Sequence, residues 1–253
     1  MAGFVRQKPF EQTQPSQSRK TRRTASLVCG LIVAAGLSSA FGQARLHSHN
    51  DYNRHPPLFR ALRYGAESIE VDVYERRGQV CVAHAPWGVR RGRTLEKIYL
   101  DPLRRILAVN GSSVYANGKP VVLYLDFKER PEKVFPALNL ILERYRPMFA
   151  VFSDTGMVRE GPLHVLVEHR IDGNDIYGHA ARGAGDGPGV RMAFDKHSRV
   201  KGRILPSGAP YRIYGAPDRR GYWRRQMEAG VGYLHTNRLK AARKFLDAWY
   251  AKR

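Results

Sequence analysis

The sequence predicts an α/β protein, a compact (β/α)8 TIM barrel with an antiparallel arm after its second strand. Two observations lead there. Short β-type runs alternate with helical patterns from residue 45 to the end of the chain, and about eight such units suffice to close a parallel sheet on itself. With 253 residues, 43% of them hydrophobic, the chain can also fill a core of that size.

The β-type runs fall at 44–49, 68–74, 121–127, 149–152, 163–167, 191–194, 212–214 and 231–235. Helix signals lie between many of them. The segment 58–64 closes on Gly65, Asp101-Pro102 reads as an N-cap followed by a first helical residue, and Pro131-Glu132 opens a pattern that runs to Tyr145. Residues 217–229 stop at Gly230. Asn237 is placed to cap a last helix whose Leu239, Ala242, Phe245, Leu246 and Trp249 share one face. The glycine-rich segment 173–189 reads as a long loop at the barrel mouth.

Residues 1–44 do not fit this alternation. A polar stretch at 12–18, a basic one at 19–23 and a small, apolar one at 25–40 follow the order of an export signal. About 16 apolar residues fall short of the roughly 20 that a membrane span needs, and Gly42 and Ala44 form an A-x-A-like cleavage site. Residues 1–44 are therefore expected to be a signal peptide and 45–253 the exported domain, periplasmic or extracellular. Arg22-Arg23 resembles a twin-arginine signal, so either export route fits. Cys29 would leave with the signal. That leaves Cys81 alone and no internal disulfide.

Lys and Arg number 43 against 22 Asp and Glu, a net charge of +21. A field of that sign concentrates phosphate esters and acidic lipid headgroups near the surface, allowing peripheral contact with an anionic membrane; a plain solubility role is the alternative. The basic residues are scattered and no aromatic-interleaved patch tracks a nucleic-acid strand, so specific nucleic-acid binding is not expected. A monomer is expected.

The chemistry concentrates in "ESIEVDVYERRGQVCVAHAP" and "VVLYLDFKER". Glu70 and Asp72 are two residues apart, so on a strand both carboxylates project to one face. Adjacent acids repel unless a cation lies between them, and carboxylate oxygens favour a hard divalent ion, Mg²⁺ or Ca²⁺. Asp126 can complete such a site, and Lys128 on the same strand face can neutralise phosphate. Too few residues separate Asp72 from Gln79 for a parallel crossover, so Gln79 to His84 should fold back as an antiparallel arm. A turn centred near Arg76-Arg77 would set His84 opposite Ile69, beside Glu70.

"HSHNDYNRHPPLFRALRYGAESIEVDVYERRGQVCVAHAP", "RTLEKIYLDPL", "LYLDFK" and "GVGYLHTNRL" together resemble the phosphodiesterase superfamily. That superfamily contains glycerophosphodiester phosphodiesterases, bacterial phosphatidylinositol-specific phospholipases C and sphingomyelinase D; the likeness is greatest to a branch with the altered-inheritance-of-mitochondria proteins. The resemblance implies a (β/α)8 barrel, one divalent cation on Glu70, Asp72 and Asp126, and two histidines in acid-base work. His49, 21 residues before Glu70, stands near the spacing expected of the first histidine, and His84 supplies the second. His47, Asn50 and Lys128 are then expected to bind substrate, a phosphodiester of phospholipid origin. The chain departs from the glycerophosphodiesterases where it has His49-Asn50-Asp51 in place of their E-N-T motif.

Two other readings compete. His47-x-His49 at the end of a first strand also resembles zinc-dependent amidohydrolases, although the last strand ends His235-Thr236-Asn237 without the aspartate those enzymes need. A non-catalytic basic barrel could bind anionic lipid or polysaccharide, but such a binder gains nothing from three carboxylates in its pocket.

Overall fold

In a computed structural model, the structure describes residues 43–252 apart from 154–155, 169, 172–173, 176–192 and 197–210. The export segment and most of the glycine-rich segment 173–189 lie outside the described residues. No helix among the described residues is long and apolar enough to cross a membrane.

The first half of the chain forms β1 (Arg45–Ser48), α1 (Phe59–Arg63), β2 (Ala66–Arg76), β3 (Gln79–Val82), α2 (Asp101–Asn110), β4 (Val121–Phe127) and α3 (Pro131–Arg144). Then come β5 (Val151–Ser153), β6 (Gly156–Arg159), β7 (Leu163–Glu168), β8 (Arg170–Ile171), β9 (Asn174–Asp175) and β10 (Ala193–Lys196). The chain ends with β11 (Tyr211–Tyr214), α4 (Arg220–Glu228), β12 (Tyr233–Thr236) and α5 (Leu239–Tyr250).

The main sheet is parallel in the order β10-β11-β12-β1-β2-β4-β7, with β3 antiparallel on β2. It curls into an open half-barrel, not the closed (β/α)8 barrel that the alternation suggested. The run at 149–152 accounts for part of the difference. It forms β5, which turns back onto β6 as a separate antiparallel pair and reaches the main sheet through a single bridge, Phe149 to Leu163. Among the described residues nothing joins β7 to β10, so the sheet keeps two edges.

Alternation along the strands sorts the two faces. Leu46, Ile69, Val71, Leu123, Leu125 and Val165 join one apolar cluster with Leu138 and Ile141 of α3 and Leu246 of α5. Full burial of each such side chain contributes about 1.5–3 kcal/mol, which holds the helices to the outer face. On the inner face, the described residues form a small apolar cluster of Val122, Tyr124, Leu166 and Tyr233, with Tyr214 packed against it. The polar residues sit on this same face, and parallel sheets place their sites at the carboxyl ends of the strands.

The antiparallel arm forms, but in a shifted register. Arg77 and Gly78 both have positive φ, 53° and 76°, the backbone of a tight two-residue turn whose twist matches the flanking strands. Arg76 therefore pairs with Gln79 and Tyr74 with Cys81, and the Ala83 amide donates to the Asp72 carbonyl at 3.2 Å. His84 thus arrives at Asp72, not beside Ile69 and Glu70 as the Arg76-Arg77 turn implied. The capping role expected of Asn237 is not taken up: α5 begins after Arg238, and no side chain caps it. Thr236 Oγ1 accepts from the Arg238 amide at 2.8 Å just before α5, and the Asn237 side chain turns toward the inner face.

Candidate active site

A buried layer is built from β1, β2, β11 and β12. Glu70, Arg212, His47 and His235 are each at most 9% exposed. Arg212 Nη1 donates to Glu70 Oε2 at 2.9 Å and to His235 Nδ1 at 3.1 Å, while its guanidinium carbon sits 4.5 Å from the centre of the Tyr124 ring. His47 Nε2 lies 2.7 Å from Glu70 Oε2, and His47 Nδ1 lies 2.8 Å from Ser68 Oγ. Burial, then the Arg212 charge, pushes His47 down to about 4. The same two causes, in the same order, hold His235 well below its ordinary value. Both rings are therefore neutral at neutral pH, so His47 donates from Nε2 to Glu70 and accepts at Nδ1 from Ser68. Burial alone would raise Glu70, but the His47 hydrogen bond and the Arg212 charge outweigh it and keep Glu70 a carboxylate well below the usual range.

His49 stands just above this layer, past the end of β1. Its ring lies 4.3 Å from that of His235, tilted by 40°, and Nε2 faces Glu70 Oε1 at 3.6 Å. Asn237 Oδ1 accepts from Arg54 Nη2 at 2.6 Å, and arginine only donates, so that atom is fixed as the oxygen. It follows that His49 Nδ1, 3.2 Å from the same oxygen, carries a proton, and Nε2 is the basic nitrogen in the neutral ring.

The second group surrounds Asp72, which is fully buried. Its Oδ2 receives Tyr52 Oη at 2.6 Å, His84 Nδ1 at 2.7 Å and Lys128 Nζ at 3.1 Å. Lys128 also contacts Asp126. Burial would weaken the ammonium, but Asp126 and Asp72 more than offset it and raise Lys128 above its ordinary value. Burial, then the neighbouring Asp72, raises Tyr52, so its hydroxyl keeps its proton and donates. Asn50, in the left-handed region at φ 47°, brings Oδ1 to 3.0 Å from Tyr52 Oη.

The structure therefore gathers His47, His49, Asn50, Glu70, Asp72, His84, Asp126 and Lys128 in one region of the inner face. His84 is 63% exposed on its side chain and His49 29%, so both are open to a ligand. His47 has no exposure and both ring nitrogens engaged, which sets it behind Glu70 rather than at an open face. Sequence reasoning missed Arg212, Tyr52, His235 and Asn237 as members. Arg212 and Tyr214 share strand parity in "YRIY", a signal for an inward-facing arginine, but the separation of 142 positions between Arg212 and Glu70 hid its partner.

Oxygens of Glu70, Asp72 and Asp126 lie within 4.8 Å of one another, a spacing that fits one divalent cation. Asp72 adds a second observation: its Oδ1 is buried and has no hydrogen-bond partner, while Oδ2 carries three donors. A buried carboxylate oxygen left bare is costly unless something positive reaches it. His47, Glu70 and His235 form another group of the same compactness. There, however, the Arg212 guanidinium lies within 3.2 Å of all three and supplies the positive charge itself.

Residues 37–176 match the family model described as an AIM6-like phosphodiesterase domain, and the chain belongs to that family. The matched segment holds His49, Glu70, Asp72, His84, Asp126 and Lys128; Arg212, His235 and Asn237 follow it. The chain is 32% identical over 150 residues to the Altered inheritance of mitochondria protein 6 of Saccharomyces cerevisiae, covering 53% of this chain and 37% of that protein. For the protein of the same name from Candida glabrata the identity is 28% over 165 residues, 51% of this chain and 40% of the relative. For that from Eremothecium gossypii it is 32% over 117 residues, 41% and 30%. The alignments thus span well under half the length of these curated relatives.

Proposed function

We propose that this protein is a metal-dependent phosphoric diester hydrolase of the superfamily that holds glycerophosphodiesterases and phospholipases C. The family match supports phosphodiesterase chemistry in general. The finer reading is carried by the convergence of three carboxylates around the bare Asp72 Oδ1, flanked by two open histidines. Glu70, Asp72 and Asp126 would hold one Mg²⁺ or Ca²⁺, which when bound polarises a phosphoryl oxygen and offsets negative charge in the transition state.

The remaining steps belong to the protein's own side chains. His49 Nε2, left basic by the Asn237 contact, takes the proton from the attacking hydroxyl. As the bond to phosphorus forms, Lys128 adds positive charge beside the phosphoryl oxygens. His84, held by the Asp72 carboxylate, returns a proton to the leaving oxygen as its bond to phosphorus breaks. A substrate hydroxyl as nucleophile gives a cyclic phosphate; water gives a monoester.

The zinc reading through His47-x-His49 is less favoured because His47 is fully buried with both ring nitrogens engaged, by Glu70 and Ser68. The substrate is proposed to be a phospholipid-derived diester and the mature protein to act outside the cytoplasm, beginning near Arg45. Mass spectrometry of the native N-terminus tests the location, and an intact Met1 on cytoplasmic protein would refute it. The function is tested with bis-p-nitrophenyl phosphate and a glycerophosphodiester and phospholipid panel, followed by ³¹P NMR. Metal-dependent hydrolysis is expected. Metal binding without turnover of any diester would favour a non-catalytic role.

A further inference from the structure

Beside the Asp72 group opens a second feature that the proposed chemistry does not use. A cleft of about 870 Å³ runs from Tyr52 and His84 out to Trp87 and α2. Arg54, Arg90, Arg93, Lys97 and Arg105 line it, and no Asp or Glu does. Elsewhere basic residues find acids: Arg76 pairs with Glu129, Arg104 with Asp101 and Arg144 with Glu96. None of the five cleft residues has an ion pair within 4 Å among the described residues. Arg54 Nε is moreover buried without a hydrogen-bond partner. Five like charges around one concavity repel each other, and low-dielectric walls strengthen the field inside. Such a cleft is complementary to a multiply charged anion.

The position of the cleft ties that anion to the diester. Its inner end is His84, the residue assigned to the leaving oxygen, and its Arg54 reaches the Asn237 oxygen that His49 also approaches. We propose that the cleft is a subsite for one arm of the diester, and that this arm carries at least one further phosphate monoester. Arg54 and Arg93 are already positioned, by Asn237 and by the Tyr52 carbonyl at 3.1 Å, while Arg90, Lys97 and Arg105 are exposed and free to close on the group. The apolar rim of Phe59 and Trp87, 49% and 87% exposed, suits an arm that continues into carbon. The inference rests on the phosphodiesterase reading for the word "arm", but the anion site itself does not.

The experiment uses the full chain and the variant Arg90→Gln/Lys97→Gln/Arg105→Gln, which leaves every residue of the carboxylate and histidine groups in place. Lys240→Gln/Lys244→Gln/Lys252→Gln, on and just after α5, removes the same three charges and controls for net charge. In chelator, calorimetric titration with inorganic tripolyphosphate should show one site in the wild type and the control. The triple variant should bind it about tenfold more weakly or worse, the loss expected of even one charge-assisted hydrogen bond. With metal added, the KM for glycerophosphoinositol 4-phosphate should rise by a similar factor, with bis-p-nitrophenyl phosphate turnover unchanged. Vesicle pelleting with phosphatidylcholine alone and with phosphatidic acid separates the source of the phosphate. Loss of pelleting in the triple variant assigns the arm to a lipid headgroup, and unchanged pelleting beside weakened tripolyphosphate assigns it to a soluble compound. Equal tripolyphosphate affinity in all three proteins overturns the subsite. Tight tripolyphosphate binding without hydrolysis of any diester keeps the anion site and overturns the enzymatic reading instead.

Discussion

Arg212 Nη1 and Glu70 Oε2 meet at 2.9 Å although they stand 142 positions apart in the sequence, and both residues are almost completely buried. The pair joins β11 to β2 across the curl of the sheet, with His47 and His235 filling the space between. Removing one partner of a buried pair leaves the other charge uncompensated, which costs about 3–5 kcal/mol. Arg212→Gln should therefore lower unfolding stability by that order in urea titrations. Arg212→Lys should recover only part, because an ammonium keeps the charge but loses the planar guanidinium that lies over the Tyr124 ring. A Gln variant as stable as wild type would show that the pair does not hold the sheet.

The His84–Asp72 contact separates proton transfer from ion binding. His84→Asn and His49→Asn should each reduce turnover by about 10²- to 10⁴-fold, the range that general acid-base catalysis supplies, with calorimetric Mg²⁺ or Ca²⁺ titrations nearly unchanged. Asp72→Asn should weaken the ion itself. Loss of metal binding in His49→Asn would make that histidine a ligand.

The two predictions draw on residues that the sequence revealed to different degrees. Glu70, Asp72, Asp126 and Lys128 were legible because their strands are short, regular and of clear parity, so the face each side chain takes follows from counting. The position of His84 depended on where a turn falls, and a shift of one residue in the turn centre moves the pairing by two. The choice of turn rested on Gly78 accepting positive φ together with Arg77, an arrangement that composition alone did not single out. Closure of the barrel failed for a non-local reason. Whether the run at 149–152 joins the parallel sheet or pairs with β6 depends on competition between neighbours, and its apolar pattern satisfies both.

Arg77 offers a test of that turn. A left-handed conformation strains most side chains, and Asn adopts it more readily. Arg77→Asn should raise stability by about 0.5–1 kcal/mol and leave diester turnover unchanged, since Arg77 lies at the far end of the arm from His84. A fall in the urea midpoint would place the turn elsewhere.

Stability should also fall in mild acid. His164 and His47 are each pushed from the ordinary 6.5 down to about 4, by burial first and then by Arg45 and Arg212 respectively. The unfolded chain thus binds more protons than the folded one between those values. Stability rises with pH in that window, is fully present above about 6.5, and is lost as pH falls toward 4. Urea midpoints measured in chelator from pH 7.5 to 4 should decline, and His164→Gln should flatten the slope. A pH-independent midpoint would mean that both rings become accessible to protons in the folded state.

Ion removal gives the most direct test of the carboxylate trio. Three carboxylates are crowded within 4.8 Å at their oxygens, and among the described residues Arg212 touches Glu70 while Lys128 touches Asp72 and Asp126. With the buried histidines neutral, a divalent ion would turn this site from net negative to net positive, as an anionic diester requires. Chelation should therefore abolish hydrolysis of bis-p-nitrophenyl phosphate, and Mg²⁺ or Ca²⁺ should restore it. Asp126→Asn should raise the ion concentration needed by about 10- to 100-fold, the usual range for disturbing a metal site. Lys128→Gln makes the sharper distinction. Its ammonium competes with the ion for Asp72 and Asp126, so the variant should bind metal as tightly as wild type or more tightly, yet turn over more slowly for want of a positive charge beside phosphate. If Lys128→Gln instead loses metal and rate together, the lysine organises the carboxylates and does not serve the phosphate. Full activity in excess chelator would remove the ion from the reaction, and restoration by Zn²⁺ alone would move it to His47, Glu70 and His235.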